Sequence, residues 1–232
     1  MKGEIWNMTL EELMPRISGD KAASYYIANV LREAIYRGIL QENEQLLQNQ
    51  LAARMGVSPI PLREALKQLE IEGLVEFRGR RGAIVSGLSL EDAREIYDMI
   101  TWLEIGVMKV SFDLISNALI QEEEVLLDKM EKEEDPVKWR DMNVFFHSSL
   151  YEPADRPMTL DTIDKLRRQV DRYIRNHLSS MRKESEKQHR EILAGVKAHD
   201  LGRTIRALES HLVNTSKDLQ AYMRHVQNRN HE

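Results

Sequence analysis

The chain of 232 residues contains no cysteine, so disulfides and thiolate chemistry are excluded, which fits a reducing compartment. It also lacks a long apolar run. The most apolar stretch, Met99–Phe112, is broken by Glu104 and Lys109 and is too short to span a bilayer. Met1–Trp6 opens without an apolar core of signal-peptide length, so a soluble cytoplasmic protein is expected, with no membrane partner. Gly-x-Ser-x-Gly, His-Glu-x-x-His and a phosphate-binding loop are all missing, which argues against the commonest hydrolase and nucleotide chemistries. There is no internal repeat and no low-complexity segment.

What is present is the balance of a soluble globular protein, 42% hydrophobic and 31% charged, long enough for two small domains. The net charge of −5 is unevenly spread. From Lys21 to Ser86 nine Lys/Arg face seven Glu and no Asp, which leaves +2 there and −7 elsewhere. A mildly basic segment joined to an acidic one suits a DNA reader with a separate second domain.

The periodicity divides the chain into an arm over 1–20, a first domain over 21–87 and a second over 88–232. In the first domain, Ile27, Val30, Leu31, Ala34 and Ile35 recur at helical spacing up to Gly38. A second helix fits Leu47–Met55, ending at Gly56. A third follows from Ser58 to about Glu72, with Ser58 as N-cap, Pro59 in the first turn and Leu62, Leu66 and Leu69 as its apolar stripe. Two short strands, Leu74–Phe77 and Ala83–Ser86, flank the basic hairpin Arg78-Gly-Arg-Arg-Gly82. Three helices and such a hairpin outline a winged helix-turn-helix. Beyond Ser86 only helical periodicity continues. Ser89 and Asp92 form a variant capping box, and breaks near Ser116, Asp135-Pro136, Glu152–Pro157, Ser179–Ser180 and Asp200–Gly202 predict about six helices in an antiparallel bundle. The expected fold class is mainly α.

The turn Arg54–Ser58 sets two helices at a steep angle, and Ser58 places a helix N-terminus where its backbone N–H groups meet a phosphate. Arg63 and Lys67 share the face opposite the leucines. An arginine there is placed for guanine O6 and N7, and Ile60 for a thymine methyl. Arg78, Arg80 and Arg81 suit phosphates or a minor groove. The competing reading is a solvated face with Arg63 and Lys67 paired to Glu64 and Glu70.

The run from Leu51 to Val75, LAARMGVSPIPLREALKQLEIEGLV, resembles the DNA-binding domain of the GntR family, and Arg80–Val85 resembles its wing. Leu88–Tyr97, LSLEDAREIY, resembles the FCD (FadR C-terminal domain) branch, with the helix count suggesting its shorter, VanR-like form. The resemblance implies DNA contacts from Asn49, Ser58, Ile60, Arg63, Lys67, Arg80, Arg81 and Gly82. Arg63 and Gly82 match their family counterparts. Pro59 stands where the family usually has arginine, and Asn49 where it often has a basic residue, so base readout there is not inherited.

Three of the seven histidines, His147, His189 and His211, fall on separate predicted helices whose spacing lets the imidazoles converge on a divalent metal such as Zn2+. Capping, pairing with a carboxylate or surface exposure are the alternatives from spacing alone. Similar FCD domains carry Asp-x-x-Phe-His and two further histidines that bind metal beside a small-molecule pocket. Val144–His147, Gln188–Leu193 and Ser210–Leu212 match these segments, and Asn143 holds the aspartate position. The implied ligands are Asn143, His147, His189 and His211; Asp141 lies on another helix face. The family's arginine three residues before Leu103-Glu104 is Ile100 here, leaving Arg167, Arg168, Arg172, Tyr173 and Arg175 as cations and donors for a pocket.

The resemblance therefore implies a homodimeric regulator on a near-palindromic double-stranded operator, answering a small-molecule effector of organic-acid type and usually acting as a repressor. An architectural DNA-binding protein whose helical domain only dimerises is the alternative. A metal-dependent enzyme is a more distant one, since no general base accompanies the histidines.

Overall fold

The computed structural model describes residues 20–229, and within them all side chains except those of 20–22, 80, 172, 175–181 and 227–229. The predicted arm lies outside these residues apart from Asp20, which begins the first helix. The chain divides into two compact units, Met1–Leu88 and Ser89–Glu232.

In the first unit, α1 (Asp20–Tyr36) lies on α3 (Pro59–Ile71), with the shorter α2 (Gln48–Met55) against it. Ile27, Leu31, Ile35, Leu62, Leu66 and Leu69 are almost wholly buried between them, as the apolar spacing requires. Arg32 of α1 donates through Nε and Nη2 to the two carboxylate oxygens of Glu72, both at 2.7 Å, and so ties α1 to the end of α3. Gly56 ends α2 in the left-handed region at φ 63°, with its N–H directed to Ala52 and Ala53 carbonyls; this is the tight reversal the turn needs.

Two local expectations are corrected. Ser58 precedes α3 with extended backbone, yet its hydroxyl makes no capping hydrogen bond. An N-cap hydroxyl accepts from the second or third helical N–H, and the third residue is Pro61, which has none. Among the described residues the sheet has three antiparallel strands rather than two, in the order β1-β3-β2, because Gln45–Leu46 (β1) pairs with β3 (Ala83–Val85) beside β2 (Val75–Phe77). A strand of two residues shows no alternation for a sequence reading to detect. Between β2 and β3 the hairpin winds into a 3-10 turn, Gly79–Arg81. It closes at Gly82 with φ 70° and ψ −146°, a conformation open to glycine and strained for other residues.

Among the described residues the second unit contains five α-helices: α4 (Leu90–Ser111), α5 (Asn117–Lys132), α6 (Pro136–Tyr151), α7 (Pro157–Lys197) and α8 (Leu201–Arg229). The sixth predicted helix is absent because α7 runs for 41 residues through Ser179–Ser180. Serine costs only a few tenths of a kcal/mol more than alanine inside a helix, and no proline or glycine reinforces that break. The other starts follow from caps: Ser89 and Asp92 form the reciprocal capping box, Ser116 accepts from Leu119 N, and Asp135 accepts from Val137 and Lys138 N. Helices α7 and α8 pack closely where Gly195 meets Thr204; a Cβ at 195 would lie 2.6 Å from Thr204 Oγ1 and 2.8 Å from its backbone nitrogen. The bundle core is built on Trp139, Phe146, Leu150, Tyr151, Ile100 and Met108. No helix among the described residues is long and apolar enough to cross a membrane.

Candidate metal centre and nucleic-acid interface

The three candidate histidines of the second unit come from different helices: His147 from α6, His189 from α7 and His211 from α8. All three are buried, and each offers a ring nitrogen within 4.8 Å of the other two. Burial, together with the nearby Arg167 guanidinium, holds His147 and His189 well below the usual histidine range and His211 down to about 3. The rings are therefore neutral, the form that has a lone pair to give.

Two rings have partners that orient them. Gln188 Oε1 lies 2.9 Å from His211 Nδ1, and because an amide oxygen only accepts, Nδ1 carries the proton and Nε2 the lone pair. The Tyr151 hydroxyl donates to Glu104 Oε2 at 2.7 Å, and its oxygen lies 3.4 Å from His147 Nδ1. That arrangement also favours the tautomer with a free Nε2. His189 is different: it is 0% exposed, and neither ring nitrogen has a hydrogen-bond partner. Two unpaired polar atoms in an apolar core are costly, and a cation drawing on one of them removes part of that cost. Three neutral, clustered imidazoles on packed helices suit a divalent metal.

Beside the rings is a cavity of about 80 Å3. Asn143, His147, His211, Arg140, Arg167 and Asp171 line it, and Ile100 forms part of its apolar wall. Asn143 thus stands at the cavity together with two of the three histidines. Asp141, exposed and paired with Arg140, does not line it. Of the described basic candidates on α7, Arg167 lines the cavity and Arg168 does not; neither does Tyr173. The side chains of Arg172 and Arg175 lie outside the described residues.

Sequence reasoning missed two ion pairs that shape this wall. Arg167 donates Nε and Nη2 to Oε1 of Glu104, at 2.8 and 2.5 Å, and Glu104 is 0% exposed. Arg140 Nε donates to Asp171 Oδ1 at 2.8 Å. The partners come from different helices, 63 and 31 residues apart, and the one available signal was an acidic residue on an otherwise apolar face of α4.

The first unit presents a different chemistry. On α3, Arg63 and Lys67 are exposed and form no hydrogen bond or ion pair with any described residue, so the pairing with Glu64 and Glu70 that the competing reading required is not formed. Ile60, beside them, is 73% exposed and so open to a partner. Asn49 on α2, Ser58 and Arg81 are exposed as well, and Gly82 closes the hairpin; the Arg80 side chain lies outside the described residues. Arg78 is paired with Glu76 at 2.6 Å. Pro59 and Pro61 remove two of the first three N–H groups of α3, so its N-terminus offers less to a phosphate than an ordinary helix start.

Comparison with known proteins agrees with this division. Residues 24–85 match the model of bacterial regulatory proteins of the gntR family, and residues 95–214 match the FCD domain. The chain is 29% identical to the gluconate operon transcriptional repressor of Bacillus licheniformis over 182 residues, 75% of this chain and 72% of that one. It is 32% identical over 116 residues to the HTH-type transcriptional regulator YdhC of Bacillus subtilis, a match spanning half of that protein. The match to the gluconate operon repressor of Bacillus subtilis likewise covers 54% of its length. The crystal structure of a GntR family regulator from Pseudomonas syringae pv. tomato superposes with a TM-score of 0.57 at 28% identity, covering 94% of this chain and 93% of that one. McbR/YncC of Escherichia coli, at 19% identity and TM-score 0.69, shares the fold. With its N-terminal helix-turn-helix and an FCD domain matched over more than half its length, the chain belongs to the GntR family of DNA-binding transcriptional regulators.

Proposed function

We propose that this regulator binds a near-palindromic operator as a homodimer and that a metal-bound effector in its helical unit controls that binding. The observation that carries the reading is an exposed, unpaired basic face on α3 in the same chain as a cavity lined by two of three clustered, buried histidines. Residues 21–87 form the DNA-binding domain and 88–232 the effector-binding and dimerising one. Arg63 is placed to read a guanine, Ile60 to meet a thymine methyl, and Asn49, Ser58, Lys67, Arg80 and Arg81 to hold the backbone, with Gly82 shaping the wing.

In the helical unit His147, His189, His211 and Asn143 would hold Zn2+, which when bound supplies a Lewis-acidic coordination point for an anionic effector such as an organic acid. The protein's own residues do the rest. Gln188 and Tyr151 fix ring tautomers, Arg140 and Arg167 present guanidinium groups to the ligand, and the apolar wall excludes water. Repression relieved by the effector is the sense we assign, supported by relatives whose names record repression. The cavity and the unpartnered His189 speak against a helical unit that only dimerises, which would have a filled core.

The test is selection of duplexes from a random pool by the full chain, followed by binding of the best duplex. Arg63→Ala weakens binding by about 5- to 150-fold and relaxes preference at one base pair. Lys67→Ala weakens all sequences alike and lowers the salt slope by about one. Failure to enrich any sequence, or an Arg63→Ala protein that binds like the wild type, contradicts the reading.

A further inference from the structure

We infer that a second copy of this chain docks on the outer face of α4, with Trp102 of each protomer seated in the notch that Gly106 leaves in the partner. That docking rests on the homodimer proposed above and gives it a surface.

Helix α4 has two faces. Ile96, Ile100, Val107 and Met108 are buried in the bundle, whereas Trp102, Gly106 and Val110, each one turn from the next, are exposed. Trp102 is 70% exposed, and the apolar stripe continues through Val110 to Leu114 in the turn that follows the helix. Single exposed apolar side chains are ordinary, but a contiguous stripe marks a surface that meets a partner. Gly106 is an independent sign. Glycine is among the poorest residues inside a helix, yet here its backbone is not left-handed and a Cβ would meet nothing within 4 Å beyond its own turn of helix. The close approach of Thr204 accounts for Gly195, but no described residue of this chain requires a glycine at 106. Bare backbone on an exposed helix face is what the close approach of another chain needs.

The neighbouring charges say which partner. Asp98 lies one turn before Trp102 and Lys109 two turns after it, on the same face of the helix. Both are exposed, and neither forms an ion pair with any described residue. When two α4 helices cross antiparallel about a two-fold axis, a contact from Trp102 to the partner's Gly106 is made twice, once in each direction. The same register brings Asp98 within one residue of the position opposite the partner's Lys109, so an opposite-charge pair forms on either side of the knob and its notch. One helix thus carries a large side chain, the space for it and two charges, arranged to complement themselves. That is the condition for an isologous contact with a second copy. A tryptophan seated in a fitted pocket carries much of the energy of such an interface. The opposite face of α4 places Tyr97 and Ile100 in the cavity wall and Glu104 against Arg167, so this helix lies between the ligand and the partner.

The experiment is sedimentation equilibrium of the full chain beside Trp102→Ala, Gly106→Leu, Lys109→Asp and the double variant Asp98→Lys with Lys109→Asp, circular dichroism confirming that each is folded. The wild type is expected to be a dimer, and Trp102→Ala to raise its Kd by about 30-fold or more. Gly106→Leu does the same, although leucine is the better helix former and its Cβ has room in the single chain. Lys109→Asp weakens the dimer by about threefold or more by setting carboxylates against each other, and adding Asp98→Lys restores it. An unchanged Kd in Trp102→Ala or Gly106→Leu, or a double variant no tighter than Lys109→Asp alone, overturns the inference and leaves the homodimer to another face. A wild-type chain that is monomeric at every concentration overturns the homodimer reading itself, and this inference with it. Trp102→Ala and the charge exchange, all at exposed positions, decide the matter if Gly106→Leu does not fold.

Discussion

Between pH 7 and pH 5 the metal-free protein is expected to lose on the order of 5 kcal/mol of folding stability from three residues, His147, His189 and His211. All three are held below the ordinary histidine range by burial and, in the fold, stay neutral through this window. In the unfolded chain they titrate near 6.5, so there the unfolded state takes up protons that the folded state refuses. Their stabilising contribution is therefore complete above about pH 6.5 and is lost as pH falls below it, by up to about 1.4 kcal/mol per pH unit for each ring. Chemical denaturation at pH 7, 6 and 5 reads the loss directly, and His189→Gln removes about a third of the slope. Zn2+ opposes the effect, since ligands held by a cation resist protonation until the metal leaves. A metal-free protein as stable at pH 5 as at pH 7 would show that the rings are not the buried neutral cluster described above.

Arg167→Met is the substitution with the next largest expected cost. Glu104 is fully buried, and among described residues its hydrogen bonds come from Arg167 and Tyr151 alone. Removing the guanidinium leaves a carboxylate in the bundle core with one phenolic donor. Breaking such a buried pair from one side costs about 3–5 kcal/mol, which for a unit of this size lowers Tm by roughly 10 °C. Glu104→Gln on that background recovers much of the loss, because an amide carries no charge to strand. The same pair sits behind Tyr151 and His147, so the single variant also weakens zinc binding by about tenfold or more through a misoriented ring. Thermal melts of the single and double variants, with zinc titrations alongside, check both parts. An Arg167→Met protein as stable as the wild type would contradict the burial of the pair.

These two networks mark where sequence reading stops. Helix starts at Ser89, Ser116 and Asp135 were legible because each cap is local, a side chain answering an N–H two or three residues on. The three histidines were legible through the resemblance of their segments to the FCD pattern, since their spacing alone left capping, pairing or exposure open. Arg140–Asp171 and Arg167–Glu104 were not, because a pair across two helices depends on the rotation of both about their axes. Periodicity fixes which face is buried but does not name the partner. The cap at Ser58 failed for a reason the sequence did contain, since Pro61 removes the N–H that the hydroxyl would have met. The continuous α7 shows the converse: Ser179–Ser180 carried the polarity of a break without the backbone chemistry of one.

The most direct test of the account is the zinc content of the full chain after reconstitution and extensive dialysis, beside His147→Ala, His189→Ala and His211→Ala. Roughly one ion per wild-type chain is expected, lost or bound at least about a hundredfold more weakly in all three variants, each of which stays folded. A wild-type protein that takes up no zinc, or variants that keep it, would contradict the metal centre and return the three histidines to the bundle core.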